Sequence, residues 1–320
     1  MVLAVDCGYG WTKGVTESGR RVAFPSVVAP PSQGRDLGAL SGTPPEWRIT
    51  VDGLTTMIGD AAVSRPDATR AWDASAADRA GYRALVLGAA ALLGASGPTD
   101  LRLGLPLTVY FDPAARQALR ERFRESATVT IAGRPPLTVE PVRVRVLPQG
   151  AGAYFAAVAA NQALRDRPVG VIDIGHRTTD YTVFARGPKG LAPREDLSGS
   201  VDAGMADVYA SVRTRLEGQV GKPIAPERVE RILRWSDGIA DVVGRALDLR
   251  PWVAEASAAL GERIKAAVRR AWGDELDFLA AVVLAGGGAV ALADHIGGIH
   301  PAARLLPDAP FANAVGFLSM

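Results

Sequence analysis

Two stretches of the chain carry residue types suited to the same chemistry. Asp6 is followed by Gly8, Tyr9, Gly10, Thr12 and Lys13, and Asp173 by Gly175, Thr178 and Thr179. In each, an apolar run ends in a carboxylate, a glycine stands two residues on, and a threonine stands six residues on (Asp6/Gly8/Thr12 and Asp173/Gly175/Thr179). A carboxylate at a strand end suits Mg2+, held directly or through water, because Mg2+ keeps several waters and takes few protein ligands. Glycines let backbone N–H groups approach an anion. Lys13 adds a compact positive charge. Two such loops, one early in each half of the chain, fit the two ends of a polyphosphate grip. A third glycine cluster, Gly286-Gly287-Gly288, follows an apolar run and opens a helix, whose N-terminus favours anions.

Other readings fail on spacing. No G-x-x-x-x-G-K-[ST] loop is present, and Gly8-x-Gly10 lacks the third glycine and the following helix of a dinucleotide fingerprint. The single cysteine, Cys7, has no histidine or aspartate constellation around it and reads as a small packing residue. His295 and His300 lack the spacing of metal ligands. His176 reads as a loop residue, and Arg177 either reaches a phosphate or is solvated.

Composition sets outer bounds. The 320 residues exceed one simple core and suit two lobes. A net charge of +2 gives no strong field for nucleic acid or an anionic membrane. One cysteine rules out an internal disulfide and fits a reducing compartment. The N-terminus enters a strand without a basic leader, so no signal peptide is expected. Ala84–Gly97 is too short to span a bilayer. Lys13 is the sole lysine before Lys189, in a chain whose positive charge is mostly arginine.

The elements that position these residues follow from periodicity and turn chemistry. Val2–Asp6 and Gly10–Thr16 read as a hairpin, with Arg21–Phe24 as a third strand. Pro25–Pro45 reads as a loop. Trp47–Val51 and Thr55–Ile58 flank Asp52-Gly53, a hairpin turn signal. Asp78–Leu93 has helical period, Leu101–Val109 is a buried strand broken by Pro106, and Pro113–Ser126 is a helix with Asp112 as N-cap. Gln149–Asn161 is a helix entered through glycines. Val169–Ile174 and Asp180–Phe184 form the second hairpin, with a turn at Gly187–Gly190. Helices are expected at Gly204–Leu216, Ala225–Leu233 and Ala254–Trp272. A strand at Ala280–Leu284, a helix from Ala289, a short strand at Leu305–Pro310 and a helix at Ala312–Leu318 complete the chain.

Taken together, these motifs resemble those of the actin and sugar-kinase superfamily of ATPases. Asp6–Lys13 is similar to its first phosphate motif, Asp173–Asp180 to its second, and Leu284–Ala289 to its adenosine motif. Within the superfamily, the D-x-G-Y-G-x-T-K start, Gly104-Leu105-Pro106, Leu147–Tyr154 and Ala312–Gly316 most resemble ParM-type bacterial and archaeal actin-like proteins. The resemblance implies an α/β fold of two lobes, each a five-stranded mixed sheet with helices in the duplicated ribonuclease-H-like arrangement, with ATP or ADP and Mg2+ in the cleft. It implies a first lobe at 1–148, with 311–320 packing back on it and a small subdomain near 31–66. The second lobe would span 149–310, with a small subdomain near 188–270.

The resemblance also assigns roles. Gln149 would orient the attacking water; Asp173 and Asp6 would hold Mg2+ directly or through water; Gly204 would approach the ribose. Gly8, Tyr9, Gly10, Thr12, Lys13, Gly175, Thr178, Thr179 and Gly286–Gly288 would contact the nucleotide. The function implied is ATP hydrolysis coupled to head-to-tail filament assembly in the cytoplasm, for DNA segregation or intracellular positioning. A DNA-binding adaptor would serve as partner, with no direct contact to nucleic acid or membrane. Two alternatives share the fold. A small-molecule kinase would need a carboxylate base, for which the sequence offers no clear candidate. A non-polymerising ATP-dependent scaffold often carries an amphipathic tail, which is not evident after Gly316-Phe317-Leu318.

Overall fold

The computed structural model describes residues 1–31, 47–63, 65–70, 76–187 and 190–320. Residues 32–46, which make up most of the expected 25–45 loop and part of the expected 31–66 subdomain, lie outside the described residues, as do 188–189 at the expected 187–190 turn. The chain divides into two compact units. The first comprises Met1–Gln162 and Phe311–Met320, and the second Ala163–Pro310.

In the first unit the strands are β1 (Val2–Cys7), β2 (Trp11–Thr16), β3 (Arg21–Pro25), β4 (Val27–Ala29), β5 (Trp47–Val51), β6 (Leu54–Ile58), β7 (Thr69–Arg70), β8 (Gly97–Leu105), β9 (Ala127–Ile131) and β10 (Leu137–Pro148). Its helices are α1 (Asp60–Val63), α2 (Ala76–Leu92), α3 (Leu107–Tyr110), α4 (Pro113–Arg122) and α5 (Ala151–Ala160), joined by a closing helix, Ala312–Phe317. Among the described residues the strands form one sheet in the order β3-β2-β1-β8-β10-β9-β5-β6-β4-β7. Its first five members are the mixed sheet expected of a lobe: β1 pairs antiparallel with β2 and parallel with β8, and β8 pairs parallel with β10. The sheet then runs on, because β9 bonds both β10 and β5. The expected five strands are therefore ten in this unit. Burial explains the near-continuous apolar reading of β1 and β8: Leu3, Val5, Leu101 and Leu103 are all fully buried, and Leu85 and Ala89 of α2 belong to the same core.

Several local expectations change, and the short strand expected at Leu305–Pro310 lies at Ala303–Leu305 instead. The strand that ends at Leu105 is followed by the short α3 rather than more strand, since Pro106 offers no N–H to the ladder. Val27–Ala29 is a buried strand, not loop; it pairs with β6 and β7. The first unit continues through Gln162, past the expected 148/149 boundary, because α5 packs on the closing helix. That packing is close enough to dictate glycine. A Cβ at Gly316 would stand 1.8 Å from the Gly152 carbonyl oxygen, and one at Gly152 would stand 2.3 Å from the Asn313 carbonyl oxygen.

The second unit contains β11 (Val169–Ile174), β12 (Thr179–Gly187), β13 (Gly190–Val201), β14 (Ile239–Val242), β15 (Arg245–Asp248), β16 (Ala281–Ala285) and β17 (Ala303–Leu305). Its helices are α6 (Met205–Val220), α7 (Pro226–Trp235), α8 (Arg250–Trp272) and α9 (Ala289–Ile296). The main sheet has the order β13-β12-β11-β16-β17, with β11 antiparallel to β12 and parallel to β16. This reproduces, strand for strand, the β3-β2-β1-β8-β10 order and pairing sense of the first unit. A separate β14–β15 hairpin covers its own small core, built from Val212, Leu216, Val229, Ala240 and Leu249. No helix among the described residues is long and apolar enough to cross a membrane.

Candidate nucleotide site

The repeat seen in the sequence is a repeat of hydrogen bonds. In the first hairpin Asp6 pairs with Lys13 and Cys7 with Thr12, and the Gly8 N–H donates to the Trp11 carbonyl at 3.0 Å. In the second, Asp173 pairs with Asp180 and Ile174 with Thr179, and the Gly175 N–H donates to the Thr178 carbonyl at 2.9 Å. Both aspartates thus stand one residue before a strand end, at the mouth of a loop closed by the same bond. The Gly8 and Gly175 N–H groups are committed to that closure.

The two threonines six residues after the aspartates, expected to contact phosphate, have their hydroxyls engaged inside the protein. Thr12 and Thr179 are fully buried. The Thr12 hydroxyl bonds Ser26 Oγ at 2.9 Å and lies 3.3 Å from Cys7 Sγ, while Thr179 donates to the Ala203 carbonyl at 2.8 Å. Their place in the repeat is to anchor each hairpin from beneath. Thr178, half-buried in the loop itself, is the threonine placed toward solvent, and Tyr9 is likewise half-buried. Cys7 packs in the core as expected, and burial pushes its thiol up to about 12.

Around Asp6 the first unit gathers a polar cluster. Asp6 is nearly buried, and its Oδ1 accepts from Gln149 Nε2 at 2.6 Å. Burial raises the Asp6 carboxyl above its ordinary range, while Lys13, Gln149 and Asn313 each pull it back. Gly104 makes room for it, since a Cβ there would lie 3.0 Å from Asp6 Oδ1. Gln149 leaves β10 with its N–H on the Leu105 carbonyl, and Gly150 turns the chain into α5 at φ +83°. Asn313 was not singled out from the sequence. It is a buried amide in the otherwise small and apolar run Ala312–Gly316, and that isolation was the available signal.

Around Asp173 the second unit places glycines. Gly286, at φ +88°, lies against the aspartate: a Cβ would stand 2.3 Å from Asp173 Oδ1 and 2.4 Å from the Ile174 carbonyl oxygen. The Gly288 N–H donates to that Ile174 carbonyl. Gly286 and Gly288 are buried, and Gly287 is the exposed member of the three. Gly204 is also buried, and it meets the loop rather than open space; a Cβ would come within 2.6 Å of the His176 carbonyl oxygen. The absence of a side chain at Gly204 is what lets α6 start against this loop. The first turn of α6 holds the loop, with Met205 N–H on the Gly175 carbonyl and Ala206 N–H on the His176 carbonyl. His176 is not a simple loop residue: its Nδ1 lies 3.5 Å from the buried Glu230 Oε1 of α7, and its ring faces Tyr209 of α6. Arg177 is exposed, 3.7 Å from Asp202.

No group of three or more His, Cys, Asp or Glu that could cage a metal occurs among the described residues. Each unit instead offers one strand-end carboxylate. A strand-end carboxylate of this kind is a ligand that suits a hydrated Mg2+, which also takes phosphate oxygens. The missing side chain at Gly286, which lets the Asp173 carboxylate lie against backbone, fits the same group.

Comparison with known proteins gives two family models that divide the chain between them. Residues 4–152 match the N-terminal domain of actin-like proteins, and residues 171–298 match the C-terminal part of the archaeal MreB-like actin homologues. The chain belongs to the actin-like proteins. A curated archaeal actin homologue from Thermoplasma volcanium is 28% identical, over 99% of this chain and 97% of that protein. Among solved structures, a 15-stranded ParM filament from Clostridium botulinum matches with a TM-score of 0.85 at 22% identity, covering 99% of this chain and 97% of that one. An archaeal actin homologue in complex with ADP matches with a TM-score of 0.77 at 23% identity, covering 99% and 97%. The actin-like protein described here therefore has the two-lobed, mixed α/β actin-like fold.

Proposed function

We propose that this actin-like protein binds ATP with Mg2+, hydrolyses it, and assembles head to tail into filaments in the cytoplasm. The observation that carries the reading is the duplicated hairpin, with a carboxylate before each strand end and an identical loop-closing bond in each unit. The ADP complex of one structural neighbour and the filament of another support it.

In this reading Tyr9 and Lys13 of the first loop, and Thr178 of the second, face the phosphates, while Gly10 is buried with its carbonyl accepting the Ser26 N–H. Gly287 meets the nucleoside side. Asp6 and Asp173 are the residues that would hold Mg2+, which when bound neutralises phosphate charge. Gln149 acts on water. Its Nε2 is fixed on Asp6, so its carbonyl oxygen is the atom left to accept a hydrogen bond and orient a water molecule. A neutral amide suffices, because phosphoryl transfer rests mainly on positioning and electrostatics. A head-to-tail interface that does not close produces an open filament, suited to positioning DNA or other cargo through an adaptor protein.

Sedimentation and negative-stain microscopy test the proposal. Polymer should form with ATP and Mg2+ and be absent without nucleotide. A protein that stays monomeric across concentration and salt, with no phosphate release, would overturn it.

A further inference from the structure

The buried Asn313 joins two parts of the candidate site. Its Oδ1 accepts the Gly150 N–H at 2.8 Å and the Ala153 N–H at 3.2 Å, so a side chain from the closing helix caps α5. Two N–H donors on one atom fix which end of the amide is oxygen. The Nδ2 end is then left to donate, and an Asn313 side-chain hydrogen bond is among the influences that hold the Asp6 carboxyl down against burial. Asn313 is 4% exposed, and a primary amide buried among alanines is costly unless both ends are satisfied. The reach is made possible by Gly152 and Gly316, which bring the two helices into backbone contact.

We propose that Asn313 is a positioning residue: it holds Asp6 through its amide N–H while capping, through its carbonyl, the helix that begins beside Gln149. Asp6 and Gln149 are thereby set by one side chain, and Gln149 Nε2 on Asp6 Oδ1 closes the triangle. A helix cap alone would be served equally by aspartate, which caps as well as asparagine. Only the bond to Asp6 requires a donor. The inference rests on the proposed reading of Asp6 as a nucleotide-site carboxylate only for its consequence in catalysis; the contact itself is tested without nucleotide.

The test is a double-mutant cycle on thermal unfolding of the nucleotide-free chain. Asn313→Asp keeps the two cap bonds and sets a second carboxylate against Asp6. It should lower Tm by about 5 °C or more in the otherwise unchanged protein. On an Asp6→Asn background the same substitution should shift Tm by no more than about 1 °C. Failure of Asn313→Asp to fold alone, with folding regained alongside Asp6→Asn, is the same coupling in stronger form. An equal shift in both backgrounds, no shift in either, or loss of folding in both would overturn the proposal. Titration calorimetry with ADP and ATP on the unsubstituted chain separates the two ideas. Coupling present with no nucleotide binding overturns the proposed function alone, and nucleotide binding with no coupling overturns the positioning role alone.

Discussion

Gln149 Nε2 and Asp6 Oδ1 lie 2.6 Å apart, although 143 residues separate them in sequence. The amide arrives there because β10 runs parallel to β8, which runs parallel to β1, so β1 and β10 end at the same edge of the sheet with β8, and the side-chain-free Gly104, between them. One carboxylate therefore both faces the loop of the first hairpin and sets the orientation of the residue proposed to hold the water.

Removing that amide should separate binding from hydrolysis. For Gln149→Ala we expect phosphate release to fall at least about tenfold while nucleotide affinity holds, because orientation of the attacking water is lost and the loop contacts remain. Filaments should form and persist. A phosphate-release assay run beside light scattering checks both halves, and wild-type hydrolysis in the variant would refute the assignment.

Gly286→Ala tests the carboxylate of the other unit. A Cβ there meets Asp173 Oδ1 at 2.3 Å and the Ile174 carbonyl at 2.4 Å, at a positive φ that alanine resists. A cost of about 2–4 kcal/mol in unfolding free energy and a loss of nucleotide binding are expected. Denaturant unfolding and calorimetry read the two effects. Asp173→Ala should abolish activity with a much smaller loss of stability.

Thr12→Val distinguishes an anchoring threonine from a ligand contact. It removes a buried hydroxyl bonded to Ser26, at a cost of about 1–2 kcal/mol, and leaves the ligand face untouched. The expected result is a lowered Tm with unchanged ADP affinity. A weakened affinity at constant Tm would restore the phosphate role.

Asp180 supplies a pH signature. Burial pushes its carboxyl above the ordinary aspartate range, with a Ser200 hydrogen bond pulling partly back. The folded state therefore keeps this proton to higher pH than the unfolded chain does. Its contribution to stability is fully present below the unfolded pKa and is lost as pH rises through the folded one. Asp180→Asn should remove that decline and raise stability at neutral pH. Unfolding free energies measured from pH 3 to pH 8 on both proteins give the comparison, and parallel curves would contradict it.

Local signals were legible in the sequence, and contacts between distant segments were not. The Asp52-Gly53 turn has both residues at positive φ, as a two-residue hairpin demands, and Asp112 caps its helix by accepting from Ala114 N–H at 2.8 Å. The two phosphate-type loops announced themselves because each is one continuous stretch. The β14–β15 hairpin was missed because its turn is Val243-Gly244, with a β-branched residue at φ +48° where asparagine or aspartate is the usual sign. β13 was missed because Pro193 and a charged run interrupt its pattern on a strand that lines the sheet edge. The contacts of Asn313, Gly104 and the His176–Glu230 pair were not legible for another reason: each matters for what comes to lie beside it.

The discontinuity of the first unit has a consequence for how the chain is made. Residues 311–320 belong with 1–162, yet the ribosome delivers all of 163–310 in between. Until the closing helix emerges, Gly150 and Ala153 lack their cap, and Arg102 and Arg145 lack the Phe317 and Met320 carbonyls that each holds at 2.7 Å. Pairings of such long range are slow to close. A nascent chain released early would carry both phosphate-type loops but an unfinished first unit. The first unit is thus finished only when Phe311–Met320 has joined Met1–Gln162.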